Sequence, residues 1–211
     1  MAVWTISAQE GAGGDQVAAG LAAAAEVPLL ARNELAAIAH DIDPEHLEAE
    51  DFAEIEKRFG GRLSALAFNM AITTGAGSAS ALQELEFRHK LPELAHSILD
   101  QAARQPCVIF AAGAFAAIPE HPKAIHVRLR APLACRIAAY QHEHLVDRQC
   151  AEKKVKHDDH AKHAWVHSLF HVDLDDDRRF ALVLDTSRFS QERIVEILLA
   201  AGGVHTELVG A

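Results

Sequence analysis

The sequence predicts a three-layer α/β/α sandwich on a parallel sheet, and three observations carry that reading. Apolar runs of strand length recur at residues 3–6, 107–110, 124–129 and 181–184. Helical stretches separate them, so the strands are expected to be covered on both faces. The first run leads into a glycine turn, Gly11-Ala12-Gly13-Gly14, that opens an alanine-rich helix over about residues 15–25.

The other elements follow in order. Residues 27–30, with Pro28, form a second strand or a loop that sets up a helix at 33–40. Residues 41–75 are polar and partly acidic, with Pro44, Gly60-Gly61 and Gly75-Ala76-Gly77, and read as helices and loops decorating the core. Over 81–104, Leu82, Leu85, Leu91, Leu94, Ile98 and Leu99 recur at helical spacing. Pro92 demands a kink or a new start near Lys90. Gly113 and a short helical stretch follow the strand at 107–110. The last helix spans 190–201, with Ser190 as N-cap and Gly202-Gly203 ending it.

The 211 residues, half of them hydrophobic, suit one domain with a sizeable core, 1–211. The formal charge of −10 argues against a nucleic-acid binder. Basic residues nevertheless outnumber acidic ones between Lys123 and His171, which leaves room for a local anion site. No run approaches the ~18 apolar residues of a membrane span, and the N-terminus lacks a signal-peptide pattern. Cys107, Cys135 and Cys150 are widely spaced and odd in number, as expected of reduced thiols in a cytoplasmic protein.

The glycine turn has two readings. It is a tight strand–helix connection, or a cradle whose N–H groups and positive helix end surround a phosphate. A full P-loop reads G-x-x-x-x-G-K-[ST]. Here Ala8 stands at the first glycine, Gly14 at the lysine and Asp15 at the hydroxyl. Asp15 could serve as a carboxylate ligand for Mg²⁺.

His157, His160, His163, His167 and His171 recur at spacings of three and four. On one helix they share a face, with Trp165 and Leu169 on the other side. The stripe is a solvated face, a set of imidazolium contacts to phosphate at mildly acidic pH, or a zinc or nickel site. Asp175-Asp176-Asp177 reads as a solvated turn, and Arg128 and Arg130 as edge or surface charges. Asp185-Thr186-Ser187, ending the last strand, reads as a loop brace.

Three stretches resemble the cytidylate kinase-like proteins, a branch of the P-loop nucleoside monophosphate kinases. They are WTISAQEGAGGDQVAAGLAAAAEVPLLARNEL, then CVIFAAGAFAAI with AIHVRLRAPLACRI, and FALVLDTSRFSQERIVEILLA. Their order matches, and together they cover roughly three quarters of the chain.

The resemblance implies an NTP-dependent kinase acting on a nucleoside monophosphate, with CMP as acceptor and ATP and Mg²⁺ as cofactors. It implies that Gly11, Ala12, Gly13, Gly14 and Asp15 hold the donor. Arg136 and Lys162 would stabilise the transferring phosphoryl group, and Arg32 and Asp159 would lie on the substrate side. It also implies a helical acceptor-side insertion over 41–104 and a helical lid over 136–172. The partners are nucleotides, with neither nucleic acid nor membrane; self-association is left open. Glycine often replaces the Walker lysine in this family, as Gly14 does here, but the chain departs from it at Asp15 in place of a basic residue, at Ala31 in place of an aspartate, and at Ala111-Ala112 in place of glycine-arginine. Phosphoryl transfer depends on cations around the transferring group. The alternative is therefore a degenerate kinase fold serving as a nucleotide-, metal- or partner-binding module.

Overall fold

The computed structural model describes residues 2–31, 33–35, 37–38 and 92–204. The chain runs β1 (Val3–Ala8), α1 (Gly14–Ala25), β2 (Leu29–Leu30), β3 (Cys107–Phe110), α2 (Ala114–Ala117), β4 (Ala124–Arg130), α3 (Leu133–His144), α4 (Arg148–Phe170), β5 (Leu182–Asp185) and α5 (Gln191–Ala201). Residues 92–102 are also helical. The expected sites in residues 41–91, and Arg32, lie outside the described residues.

The five strands form one sheet in the order β2-β3-β1-β4-β5. All four pairings are parallel. The chain fills one side of β1 with β3 and β2, then crosses to the other side with β4 and β5. That reversal leaves a crevice beyond the carboxyl ends of β1 and β4, where ligands gather in open α/β sheets. The glycine turn starts there.

The two faces of the sheet bury different chemistry. One face carries Trp4, Ile6, Ala8, Val108, Val127 and Leu129, packed against Val17, Leu21, Ile194 and Leu198 of α1 and α5. Trp4 is fully buried, and its Nε1 donates to the Leu198 carbonyl at 2.9 Å. A Cβ on Gly202 would stand 2.1 Å from the Trp4 ring, so helix α5 can end against the indole only with glycine there.

The other face pairs Val3, Cys107 and Ile109 with Ile98, Leu99 and Leu169. It also buries Thr5, Ser7, His126 and Arg128, which alternate with the apolar residues of β1 and β4. Cys107, buried there, has its thiol pushed up to about 11 by desolvation.

Arg128 corrects the expectation of a surface charge. It is 1% exposed and lies between Ser7 Oγ at 3.1 Å and Asp175 Oδ1 at 3.0 Å. Its Nε has no hydrogen-bond partner among the described residues. Burial pulls the guanidinium pKa down, and the Asp175 bond opposes that. Asp175 stands in an exposed turn, as expected, and also serves as the counterion of Arg128.

Four of the five stripe histidines lie on one continuous helix, and His171 is its C-cap at φ 54°. Val155, Val166 and Leu169 of α4 are buried, while His157, His160, His167 and His171 are exposed. Among the described residues no helix is long and apolar enough to cross a membrane.

Candidate functional site

The turn after β1 is built by steric necessity. The Ala12 amide donates to the Gln9 carbonyl at 3.1 Å, closing a four-residue turn whose third residue is Gly11. Gly11 has φ 74°, the sign a type II turn requires at that place. A Cβ on Gly11 would lie 2.5 Å from the Arg136 carbonyl oxygen. Gly13, at φ 71°, is the N-cap of α1. The amides of Gly11, Gly13, Gly14 and Asp15 make no hydrogen bond to another described residue. They are orphan donors at a helix N-terminus, which suits an anion. Ala12, expected among the cradle donors, instead gives its amide proton to the turn itself.

Gly14 is explained by its neighbour. A Cβ there would stand 2.3 Å from the Ala8 Cβ and 3.0 Å from the Phe110 ring. In the motif, glycine comes first and the lysine seventh; here a methyl sits at the first place and none at the seventh. Ala8 and Gly14 are therefore a compensating pair, and the loop has no room for a side chain at position 14.

A cation reaches the loop from elsewhere. Lys162 of α4 places Nζ 3.3 Å from the Ala8 carbonyl and 2.8 Å from Glu10 Oε2. It lines a cleft of about 610 Å³ together with Glu10, Gly11, Gly13, Gly14 and Asp15. The far wall of that cleft is apolar, formed by Leu35, Leu99, Phe110, Trp165, Leu169 and Phe170.

Arg136 and Asp159 meet behind the loop. Arg136, 6% exposed, donates from Nη1 to Asp159 Oδ2 at 2.6 Å and to the Glu10 carbonyl at 3.0 Å. Its Nε donates to the Ala131 carbonyl at 3.0 Å. Asp159 Oδ1 accepts from the Glu10 amide at 2.9 Å. Both residues were expected to face ligand, and neither lines the cleft. The structure turns them into a brace that grips the backbone of Glu10 from both sides.

A second hollow of about 270 Å³ opens on the opposite flank of the loop. Gly11 and Gly13 are walls of both cavities. The other walls of the hollow include Gln16 and Val17 of α1, Cys135 of α3, and Thr186, Ser187 and Phe189 after β5. Phe189 is 43% exposed, an aromatic face open beside the turn. Asp185 holds that segment by accepting from the Ser187 amide and hydroxyl at 2.9 and 2.6 Å.

One member of the histidine stripe joins a compact ligand-type cluster, His163 with Asp173 and Asp175. His163 Nε2 lies 3.3 Å from Asp175 Oδ2.

Sequence reasoning missed Glu10 and Phe189, which carry no motif of their own. It also missed Arg128, although Thr5/Ser7 and His126/Arg128 alternate visibly in two runs read as uniformly apolar.

The chain resembles known proteins over most of its length. The sequence profile of the cytidylate kinase-like family matches residues 3–188. No curated protein matches in sequence. An uncharacterized protein from Eubacterium ventriosum superposes with a TM-score of 0.68 at 13% identity, covering 97% of this chain and 100% of its own. TT1252 from Thermus thermophilus superposes at 0.50 with 20% identity, over 99% of this chain and 98% of its own. A gluconokinase from Sinorhizobium meliloti gives 0.49 at 13% identity, over 96% and 91%. At these identities the first two superpositions speak to the fold alone.

Proposed function

The chain belongs to the cytidylate kinase-like family, and from that premise we propose that it transfers a phosphoryl group from a nucleoside triphosphate to a nucleoside monophosphate, with CMP as the acceptor. The observation that carries this reading is the shared wall. The glycine turn separates a small hollow from a larger cleft. A donor lying across the turn would set its nucleoside against Phe189 and its phosphates over the free amides of Gly11, Gly13 and Gly14. The acceptor would occupy the cleft.

The roles divide between two layers. Lys162 faces the transferring phosphoryl group, supplying from α4 the charge that position 14 lacks. Arg136 and Asp159 hold the turn in shape behind it. Hairpin α3–α4 acts as the lid over residues 136–172, and its closure excludes water from the transfer. Asp15, on the cleft side of the turn, fits a Mg²⁺ ligand by its carboxylate. That ion would supply positive charge to the donor phosphates.

The test is calorimetric titration of the full chain with ATP, with and without Mg²⁺, and with CMP, followed by detection of ADP and CDP. Binding of both nucleotides with transfer supports the kinase. Binding of ATP without transfer to CMP or another monophosphate leaves a nucleotide-binding module, the reading that the carboxylates Glu10 and Asp15 at the cradle favour. Absence of any binding overturns both.

A further inference from the structure

The cation that faces the cleft is already occupied. Lys162 Nζ sits 2.8 Å from Glu10 Oε2, and both side chains are about three-quarters covered. A partly exposed ion pair contributes little to stability. Stability therefore does not account for a carboxylate placed on a phosphate-binding turn, against the one lysine that reaches it among the described residues.

The anchoring of Glu10 is particular. Its amide is held by Asp159 and its carbonyl by Arg136. The root of the side chain is thus fixed, while Lys162 is the one hydrogen-bond partner of its carboxylate among the described residues. Lys162 keeps a second contact, the Ala8 carbonyl at 3.3 Å, that does not depend on Glu10. The lysine would stay at the turn if the carboxylate left.

From this geometry we propose that Glu10 is a built-in stand-in for a donor phosphate: its carboxylate holds Lys162 until an entering phosphate displaces it. The inference rests on the reading of the turn as a phosphate cradle. Two anionic oxygens compete for one ammonium, and every donor must first break the resident pair. Glu10 thereby sets how tightly the site takes a polyphosphate.

The experiment titrates the full chain with inorganic tripolyphosphate and with ATP. It compares wild type, Glu10→Gln, Glu10→Ala, Lys162→Ala and the double variant Glu10→Gln/Lys162→Ala. The backbone bonds of Glu10 survive both substitutions at position 10. The expected result is that each binds about tenfold tighter than wild type, a difference of about 1.4 kcal/mol. Lys162→Ala binds more weakly, and in the double variant the gain from Glu10→Gln vanishes. Equal affinities of wild type and both Glu10 variants, with Lys162→Ala weaker, would overturn the inference and leave the cradle standing. A gain that persists without Lys162 would also overturn it, since Glu10 would then act by repulsion alone. No binding by any variant would overturn the cradle and the inference together.

Discussion

The two faces of the sheet are held by different means. Under α1 and α5 the contacts are apolar, from Trp4 and Ile6 on β1 to Leu198 on α5. Under α4 the same strands turn Thr5, Ser7, His126 and Arg128 inward, and hydrogen bonds join them to neighbours far along the chain. Apolar burial scales with area and has no direction. Buried polar bonds are directional and leave a penalty when broken. The first face makes a platform. The second fixes the orientation of the elements that surround the glycine turn.

The comparison can be broken by perturbing each face and reading both stability and binding. Leu198→Ala should cause the largest loss, about 3 kcal/mol of unfolding free energy in urea, because the site is fully buried and cannot collapse easily. Nucleotide affinity of the folded fraction should stay unchanged; a parallel fall in affinity would mean the faces are not separable. Asp159→Ala should cost about 2 kcal/mol by leaving Arg136 buried without its counterion. Unlike Leu198→Ala, it should also weaken ATP binding, because the turn loses its brace.

Gly14→Ala tests the turn itself. It should cost about 1 kcal/mol or more from the clash with Ala8, and the Ala8→Gly/Gly14→Ala double variant should recover much of that loss. Additive losses in the double-mutant cycle would refute the compensation. The smallest effect concerns pH. Burial holds His126 below its ordinary pKa; the Pro119 carbonyl opposes that and His121 adds to it. The unfolded chain takes up this proton near pH 6.5 while the folded chain does not. Stability should therefore fall as pH drops from about 6.5 toward the lower folded value. His126→Asn should flatten that part of the urea stability profile relative to wild type, and an unaltered slope would assign it to other groups.

The fold was legible because the strands announce themselves. Residues 107–110 coincide with β3, and the other main runs lie within one or two residues of β1, β4 and β5. Continuous apolarity is a strong signal for a sheet covered on both sides. That same signal hid the alternation of Thr5 with Ser7 and of His126 with Arg128, since buried polar residues were absorbed into apolar runs. The glycine turn was legible by its composition, and Lys162, Arg136 and Asp159 were singled out only through resemblance, which did not give the last two as a brace behind the turn. Glu10 was not legible at all: its meaning depends on a lysine 152 residues away. The second hollow escaped for the same reason, being assembled from segments after β1, β4 and β5.

The chain carries two tryptophans, and the architecture gives one to each region. Trp4 is sealed in the apolar face, with its indole N–H bonded to Leu198. Trp165 lines the cleft on the other side, a few residues along α4 from Lys162. Their emission should separate. The Trp4 signal should be blue-shifted and resist acrylamide, while that of Trp165 should be red-shifted, quenchable and altered when the cleft fills. Trp4→Phe would leave a single tryptophan beside the turn, so occupancy of the site could be followed optically without labelling the protein.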